Sequence, residues 1–233
     1  MTITSPHNQK LKEIRKLRMR KRWRERSGRF VAEGEDLLAA ADAAGWVAVD
    51  RFVAAGSGLA GVEVDPKLLE SASGIASGTR ALAVYEERWA QPKGPLCVYL
   101  HGVHDPGNVG TILRSAEAFG VACVMIGPGS ADPFGPKAVR ASMGSVFGVP
   151  VVREGELPGL KIALVPDQGV PLRAVDAADE VTLMIGAERD GLPENAVREA
   201  DVVAHIPIAT HSLNAAMAAT IALYELAHRI SDR

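Results

Sequence analysis

The alternation of apolar and polar runs divides the chain into two parts near residue 90. In the first part, three short apolar runs predict strands: "FVAEG", "VAVDRFVAA" and "ALAVYEE". Helical spacing between them predicts helices in "EDLLAAADAAGW", ending near Gly45, and in "DPKLLESASGI". This order of elements indicates a small α/β domain over residues 1–88. The Pro- and Gly-containing stretch over 89–95 predicts a linker.

The pattern changes after residue 95. Five short runs are rich in Val, Ile and Leu and lack strict alternation: "LCVYLHGV", "ACVMIG", "KIALVPD", "VTLMIGAE" and "VVAHIPI". Such runs are typical of strands that are buried on both faces of a parallel sheet. Predicted helices separate them, at 110–119, about 133–145, roughly 171–178, 193–199 and 212–230. The sequence therefore predicts a second α/β domain over 96–233, with helices on both sides of a mostly parallel sheet.

The first thirty residues are strongly basic. The stretch "SPHNQKLKEIRKLRMRKRWRERSGRF" predicts a helix that Ser5 caps, with Pro6 in its first turn. One face of this helix has an apolar stripe of Leu11, Ile14 and Leu17. Residues 1–30 contain eleven Lys or Arg and two Glu, a net charge of +9 in a chain whose total is −2. A solvated charged helix and a phosphate-contacting arm are both open, and the charge density favours nucleic acid.

Composition restricts the class of protein further. Hydrophobic residues make up 47% of the chain, yet no apolar run reaches the roughly 18 residues needed to span a bilayer. The basic N-terminus has no apolar segment behind it, so we expect no signal peptide. Cys97 and Cys123 lie in separate strand-like runs, and we interpret them as small core residues in a reducing compartment. We therefore expect a cytoplasmic protein without a membrane partner and, since the six His are scattered, without a metal site.

Polar turns follow three of the strands predicted in the second domain: His104–Asn108, Gly186–Gly191 and Ile208–Asn214. Because the carboxyl ends of parallel strands meet at one edge of the sheet, we expect these turns to lie together and to form the ligand site. The usual dinucleotide, phosphate and hydrolase motifs, GxGxxG, GxxxxGK[ST] and GxSxG, do not occur in the sequence.

The candidate polar residues near these turns also have ordinary structural interpretations. Asn108 and Ser212 are both good N-caps for a following helix. Arg114 could pair with Glu117, three residues later on the same helix. Glu188 could be a carboxylate at the rim of the sheet that pairs with Arg189.

Three segments together resemble the SpoU/TrmH family of RNA ribose 2′-O-methyltransferases, within the SPOUT superfamily. The first, "DPGNVGTILRSAEAFG" (105–120), matches the family's Asn–x–Gly–x–x–x–Arg. The second, "MIGAERDGLP" (184–193), matches Gly–x–Glu–x–x–Gly, and the third, "IPIATHSLNAAMAATIALYE" (206–225), matches Ile–Pro followed by Ser–Leu–Asn. They occur in the family's order and each follows a predicted strand, so the set is specific.

The resemblance implies a fold and a cofactor. The fold is an α/β domain with a deep trefoil knot at its C-terminal end, although protein chains are in general unknotted. The cofactor is S-adenosylmethionine (SAM), bound by the knot loops. By resemblance, Gly186, Ile206 and Leu213 contact SAM, and we expect Ile208 to add to the apolar wall of the same site.

The same resemblance assigns the methyl-transfer site to five residues: Arg114, Asn108, Glu188, Ser212 and Asn214. Arg114 takes the position of the family's catalytic arginine, which acts on the 2′-hydroxyl. A guanidinium is effectively always protonated, so we expect it to orient the hydroxyl and to stabilise the developing alkoxide. Glu188 could hold Arg114 through a charge-assisted hydrogen bond, and Ser212 and Asn214 are expected to face the reaction centre.

The N-terminal part resembles the family's accessory substrate-binding module, with "ITSPHN" followed by "FVAEG". This resemblance implies RNA as the substrate, and we expect phosphate contacts at Lys21, Arg22 and Arg24. The segment "AVRASMGSVFGVP" (138–150) resembles the family segment before the knot. Arg140 within it has two interpretations that stay open, a structural one and a place at the RNA entrance.

The resemblance therefore implies a SAM-dependent RNA 2′-O-methyltransferase acting on ribosomal RNA (rRNA). Transfer RNA is the alternative substrate, and a non-catalytic, SAM-binding assembly factor is the alternative function. Family members form homodimers through the knot region. One face of the last predicted helix has an apolar stripe, interpreted as core or dimer interface: Leu213, Met217, Ile221 and Tyr224. In one departure from the family, the loop before Ser212 is about two residues shorter and places His211 there, next to the expected contacts with SAM.

Overall fold

The computed structural model describes residues 2–74, 78–176, 178–209 and 212–231. Within these ranges the N-terminal part forms a four-stranded sheet in the order β1–β4–β2–β3. Strand β4 is antiparallel to both β1 and β2, whereas β3 is parallel to β2. The strands are β1 (Arg29–Glu33), β2 (Asp50–Ala54), β3 (Val62–Val64) and β4 (Ala81–Glu86). The sequence predicted β1, β2 and β4 but not β3, which is only three residues long.

Helices cover this sheet: α1 (Gln9–Met19), α2 (Lys21–Ser27), α3 (Glu35–Ala43) and α4 (Pro66–Ala72). The prediction of one continuous basic helix was wrong, because Arg20 adopts an extended backbone (φ −129°, ψ 105°) and separates α1 from α2. The predicted cap was also wrong. The side chain of Asn8, and not that of Ser5, accepts the hydrogen bond from the backbone N–H of Lys10, at 2.9 Å.

The second part contains, within the described residues, a parallel sheet of seven strands in the order β7–β6–β5–β10–β8–β11–β9. The strands are β5 (Leu96–Leu100), β6 (Cys123–Ile126), β7 (Val151–Val152), β8 (Leu160–Leu164), β9 (Val170–Pro171), β10 (Val181–Ile185) and β11 (Val202–His205). The predicted parallel α/β architecture is confirmed. The trefoil knot stays a prediction from the resemblance.

Helices flank this sheet: α5 (Pro106–Ala118), α6 (Pro136–Ala141), α7 (Ser145–Gly148), α8 (Glu194–Arg198) and α9 (Ala215–Ser231). The helix predicted over 133–145 is instead two short helices, because Met143 and Gly144 adopt positive φ angles of 51° and 102°. The helix predicted over 171–178 is a single 3₁₀ turn, Leu172–Ala174, because β9 pairs with β11 up to Pro171. No helix of the described ranges is long and apolar enough to cross a membrane.

The two parts share one hydrophobic core. Phe30 of β1 stacks at 4.8 Å between ring centroids on Phe134, which precedes α6. Trp46, after α3, and Tyr85 of β4 contact Phe147 of α7 at 5.2 and 5.1 Å. The indole Nε1 of Trp46 also donates to the backbone oxygen of Phe147 at 2.9 Å. The N-terminal sheet is therefore packed directly against the second domain.

The two cysteines lie in the core, as predicted. Cys97 of β5 and Cys123 of β6 are register partners on neighbouring strands, and both are free and buried. The Cys123 thiol donates to the sulfur of Cys97 over 3.1 Å.

Candidate active site

The first polar turn places Asn108 inside α5 and not at its cap. Asp105 is the N-cap, and its Oδ1 accepts a hydrogen bond from the backbone N–H of Gly107 at 2.8 Å. Pro106 opens the helix, where its missing N–H costs nothing. The N-cap interpretation of Asn108 was therefore wrong. Its side chain is buried and points toward other loops.

Hydrogen bonds through Asn108 connect the three predicted turns. Its Nδ2 donates to Oε1 of Glu188 at 2.6 Å, and its Oδ1 accepts from Nδ2 of Asn214 at 3.0 Å. Asn214 Oδ1 in turn accepts from the backbone N–H groups of Ala216 and Met217, at 2.9 and 3.3 Å. Asn214 thus caps α9, a role that the sequence suggested for Ser212. We name Asn108, Glu188 and Asn214 the amide–carboxylate cluster.

Glu188 is held as a carboxylate by this arrangement. Partial burial raises the pKa of its carboxyl, but hydrogen bonds from Asn108 and from the backbone N–H groups of Glu188, Asp105 and His104 outweigh burial, and the pKa lies below its ordinary value. Its carboxylate is bonded to Asn108 and to the turn at the start of α5, and not to Arg114. The expected bond between Glu188 and Arg114 was therefore wrong.

Arg114 is exposed on α5, one and a half turns beyond the amide–carboxylate cluster. Its guanidinium has no hydrogen bond or ion pair with any residue that the structure describes. The suggested partner Glu117 instead accepts from Oγ of Ser145 at 2.6 Å. The guanidinium of Arg114 is therefore open to an incoming ligand.

A cavity of about 770 Å³ lies at the carboxyl ends of β8, β10 and β11. Its lining includes all four residues expected to contact SAM: Gly186, Ile206, Ile208 and Leu213. Glu188 and Ser212 also line it, whereas Asn108, Asn214 and Arg114 do not. Sequence reasoning missed Leu164, Val165 and Pro166, although their position at the carboxyl end of a buried parallel strand was a usable signal.

The cavity fits a SAM molecule in size and in chemistry. Its volume falls within the roughly 300–1,000 Å³ of ordinary ligand pockets. Its wall combines aliphatic side chains, suited to a planar adenine, with charged groups of Glu188, Arg189 and Asp190 at the β10 loop. A side chain at Gly186 would bring a Cβ within 2.1 Å of the Gly191 carbonyl carbon, so the loop can close only with glycine there. His211 of the shortened loop lies outside the described residues.

The cations expected to contact RNA differ in their surroundings. Lys21 and Arg22 are exposed, and Lys21 lies 3.8 Å from Glu25. The expected phosphate contact of Arg24 was wrong. Arg24 is 5% exposed, and its guanidinium binds Asp132 with Nε at 2.8 Å and Nη2 at 2.7 Å. A buried, paired guanidinium is not free to bind phosphate. Arg140 is half-exposed and lies 3.4 Å from the carboxylate of Glu33.

Comparison with known proteins agrees with this geometry. The family model described as the SpoU rRNA Methylase family matches residues 95–224, and the one described as the MRM3-like substrate binding domain matches residues 8–89. The chain is 29% identical to the 23S rRNA (guanosine(2553)-2′-O)-methyltransferase RlmP of Bacillus subtilis, over 96% of this chain and 98% of that protein.

Two solved structures are also similar. The AdoMet-bound rRNA methyltransferase from Sinorhizobium meliloti has a TM-score of 0.87 and 31% identity, over 98% of this chain and 97% of that one. The SpoU methyltransferase AviRb from Streptomyces viridochromogenes, in complex with AdoMet, has a TM-score of 0.86 and 27% identity, over 97% of this chain and 100% of that one.

Proposed function

Because the chain belongs to the SpoU rRNA methylase family, whose members use SAM as methyl donor, we propose that it methylates a ribose 2′-hydroxyl of large-subunit rRNA. The similarity to RlmP supports rRNA as the substrate, since RlmP is named for a 2′-O position in 23S rRNA. One observation carries the proposal most directly. Arg114, which has no ion pair or hydrogen bond with the described residues, projects from the helix whose first turn is tied to both SAM-site loops, through Glu188 and Asn214.

The chain's own residues have distinct tasks in this reaction. Bound SAM supplies a methyl carbon that is made electrophilic by the adjacent sulfonium charge. Arg114 orients the ribose hydroxyl and stabilises the negative charge that develops on its oxygen. It acts as a cation throughout, because a guanidinium does not lose its proton in a protein, so the proton of the ribose hydroxyl passes to a phosphate oxygen of the RNA. The amide–carboxylate cluster holds the start of α5 against the cofactor loops, so that the acceptor and the donor meet in a fixed geometry.

RNA binding is assigned to the outward faces of α1 and α2. The exposed cations there, without an ion pair among the described residues, are Lys12, Lys16, Arg20, Arg22 and Arg26. The ammonium of Lys16 lies 4.3 Å from the ring centroid of Trp23. A cluster of free cations on one surface is the usual footprint of phosphate binding.

We also propose a cytoplasmic homodimer. The stripe on α9 was left open between core and interface, and exposed fractions of 62% for Met217, 44% for Ile221 and 55% for Tyr224 argue against core. Exposed apolar side chains in a row mark an association surface. Light scattering should give a dimer for the wild-type chain and a monomer for Ile221→Lys. A monomeric wild type would contradict the proposal. The free thiols of Cys97 and Cys123 support the proposed cytoplasmic location, because thiols stay reduced in that compartment.

The test is transfer of labelled methyl from SAM to unmodified transcripts of large-subunit rRNA, small-subunit rRNA and tRNA. Alkaline hydrolysis of the product then identifies the acceptor, because cleavage needs a free 2′-hydroxyl and stops at a methylated ribose. We expect alkali-resistant label in large-subunit rRNA. Label on a base would contradict the ribose assignment, and label in tRNA alone would contradict the rRNA assignment. SAM binding without any label would favour the non-catalytic assembly factor.

A further inference from the structure

A segment of the second domain contacts both the N-terminal, RNA-binding part and the helix α5 that carries Arg114. We name residues 132–148 the bridge segment; it contains Asp132, α6 and α7. It lies outside the lining of the SAM cavity. Its contacts on each side are nevertheless specific enough to suggest a role in the reaction.

The N-terminal domain holds the bridge segment at two ion pairs of opposite polarity. At its start, Arg24 of α2 binds Asp132, and the two side chains are 6% and 14% exposed. Arg24 also donates to the backbone oxygen of Leu17 at 2.6 Å, which fixes it to α1. At the end of α6, Arg140 lies 3.4 Å from Glu33 of β1, whose side chain is 5% exposed. The short helix α6 is thus anchored at both ends.

A close packing contact and a hydrogen bond also join the N-terminal domain to the later part of the bridge segment. A Cβ placed on Gly144 would lie 2.5 Å from the Cβ of Ala40, so α3 approaches the backbone between α6 and α7. Trp46 donates its indole N–H to the backbone oxygen of Phe147 in α7. The N-terminal domain therefore contacts the bridge segment along its whole length.

The opposite side of the bridge segment packs against α5. A Cβ on Gly110 would lie 2.4 Å from the backbone oxygen of Ala138, so the backbones of α5 and α6 are in direct contact. Farther along α5, Glu117 accepts from Oγ of Ser145 at 2.6 Å. Arg114 lies between Gly110 and Glu117, one turn from the first contact.

We propose that Arg24, Asp132, Glu33 and Arg140 are positioning residues for methyl transfer. Their ion pairs fix the bridge segment, the bridge segment fixes α5, and α5 fixes the direction of Arg114. This inference rests on the proposed function for its catalytic consequence, whereas the mechanical link from the ion pairs to α5 is independent of it. RNA affinity belongs to the exposed cations without an ion pair among the described residues, and turnover depends on the ion-paired Arg24 and Arg140.

The first test measures the link without using activity. Asp132→Asn keeps the size of the side chain and removes its charge. Asp50→Asn is the matched control, because Asp50 pairs with Lys10 entirely within the N-terminal domain. In hydrogen–deuterium exchange, the amides of α5 should exchange about tenfold faster in Asp132→Asn and as in wild type in Asp50→Asn. Unchanged exchange of α5 in a folded Asp132→Asn would overturn the proposal.

The second test measures the consequence for the reaction. With rRNA as substrate, kcat of Asp132→Asn should fall about 10- to 100-fold, because small displacements of a reacting group have effects of this size. The KM for RNA should stay within about twofold and the SAM affinity should not change. Arg22→Gln should show the opposite split, a raised KM with kcat unchanged. With kcat expressed per folded enzyme, a kcat within about twofold of wild type, or a raised KM with kcat unchanged, would overturn the proposal.

Two further variants distinguish a positioning role from simple unfolding. Arg24→Lys keeps the charge but loses the forked geometry, so it should give a smaller fall in kcat than Asp132→Asn. Arg140→Gln breaks the half-exposed pair, whose loss the fold tolerates more easily, and should lower kcat in the same direction. If neither variant changes kcat or the exchange of α5, the inference fails. If the wild type labels no RNA, the proposed function fails, and the exchange data still decide whether the ion pairs hold α5.

Discussion

Two arginines of the same short helix differ in every respect except charge. Arg22 of α2 is exposed and without an ion pair among the described residues, whereas Arg24 is buried and bound to Asp132. Two residues along a helix correspond to about 200° of rotation, so the two side chains leave α2 on opposite sides. One side faces solvent and the other the bridge segment. A high density of cations in a sequence therefore indicates a surface that binds polyanions. It does not show which of those cations are free to bind.

The largest effect that separates the two arginines is on stability. Arg24→Ala leaves Asp132 as an uncompensated, mostly buried charge and should lower the free energy of unfolding by about 3–5 kcal/mol. Arg22→Ala should change it by no more than about 0.5 kcal/mol. Chemical denaturation of the two variants measures the difference. Equal losses would show that the burial of Arg24 has no energetic consequence.

A second comparison sets the amide–carboxylate cluster against an exposed hydrogen bond on the same helix. Asn108→Ala removes the partner of both Glu188 and Asn214 and should cost about 1–3 kcal/mol of stability, together with a lower methyl-transfer rate. Thr111→Ala is the control, because the hydroxyl of Thr111 bonds to the backbone oxygen of Gly107 and to no other residue that the structure describes. If Thr111→Ala lowers the rate as much as Asn108→Ala, the cluster has no special role in the site.

The contribution of the exposed cations to RNA binding should appear in the salt dependence of the affinity. Replacing Arg22 and Arg26 together with Gln should reduce the slope of log affinity for RNA against log salt by about 0.7 for each phosphate that is no longer neutralised. SAM affinity should stay as in wild type, because neither residue lines the cavity. A binding titration at several salt concentrations measures the slope. A slope identical to wild type would place the RNA on another surface.

The smallest effect concerns pH. Since the folded-state pKa of Glu188 lies below its ordinary value, the hydrogen bonds to its carboxylate stabilise the fold fully above the unfolded carboxyl pKa of about 4.3. This contribution is lost as the pH falls through the lowered folded-state value. The stability difference between wild type and Glu188→Gln should thus be constant from pH 5 to 8 and shrink in more acidic solution. A difference that grows on acidification would contradict the assigned sign.

The sequence was informative where a signal spans several residues. The five longer strands of the parallel sheet were recognisable from continuous apolar runs, and the motif turns from their position after those strands. The two-residue strands β7 and β9 are too short to show a periodicity. The helix break at Arg20 was not predictable because no Pro or Gly marks it. Hydrogen-bond partners were the least predictable. The Glu188–Asn108 bond joins residues 80 apart in the chain, and the Arg24–Asp132 pair joins residues 108 apart. Neither has a signature in the local sequence.

Arg114, which has no partner among the residues that the structure describes, acts on the ribose hydroxyl in the proposed reaction, while the rest of the site holds the reactants. The most direct measurement is the single-turnover rate of methyl transfer to rRNA by Arg114→Ala, with SAM affinity measured by calorimetry on the same protein. The expected result is a rate at least about 100-fold lower than wild type, with SAM affinity and thermal stability unchanged. A rate within about threefold of wild type would contradict it, because that change is smaller than the loss of one catalytic hydrogen bond.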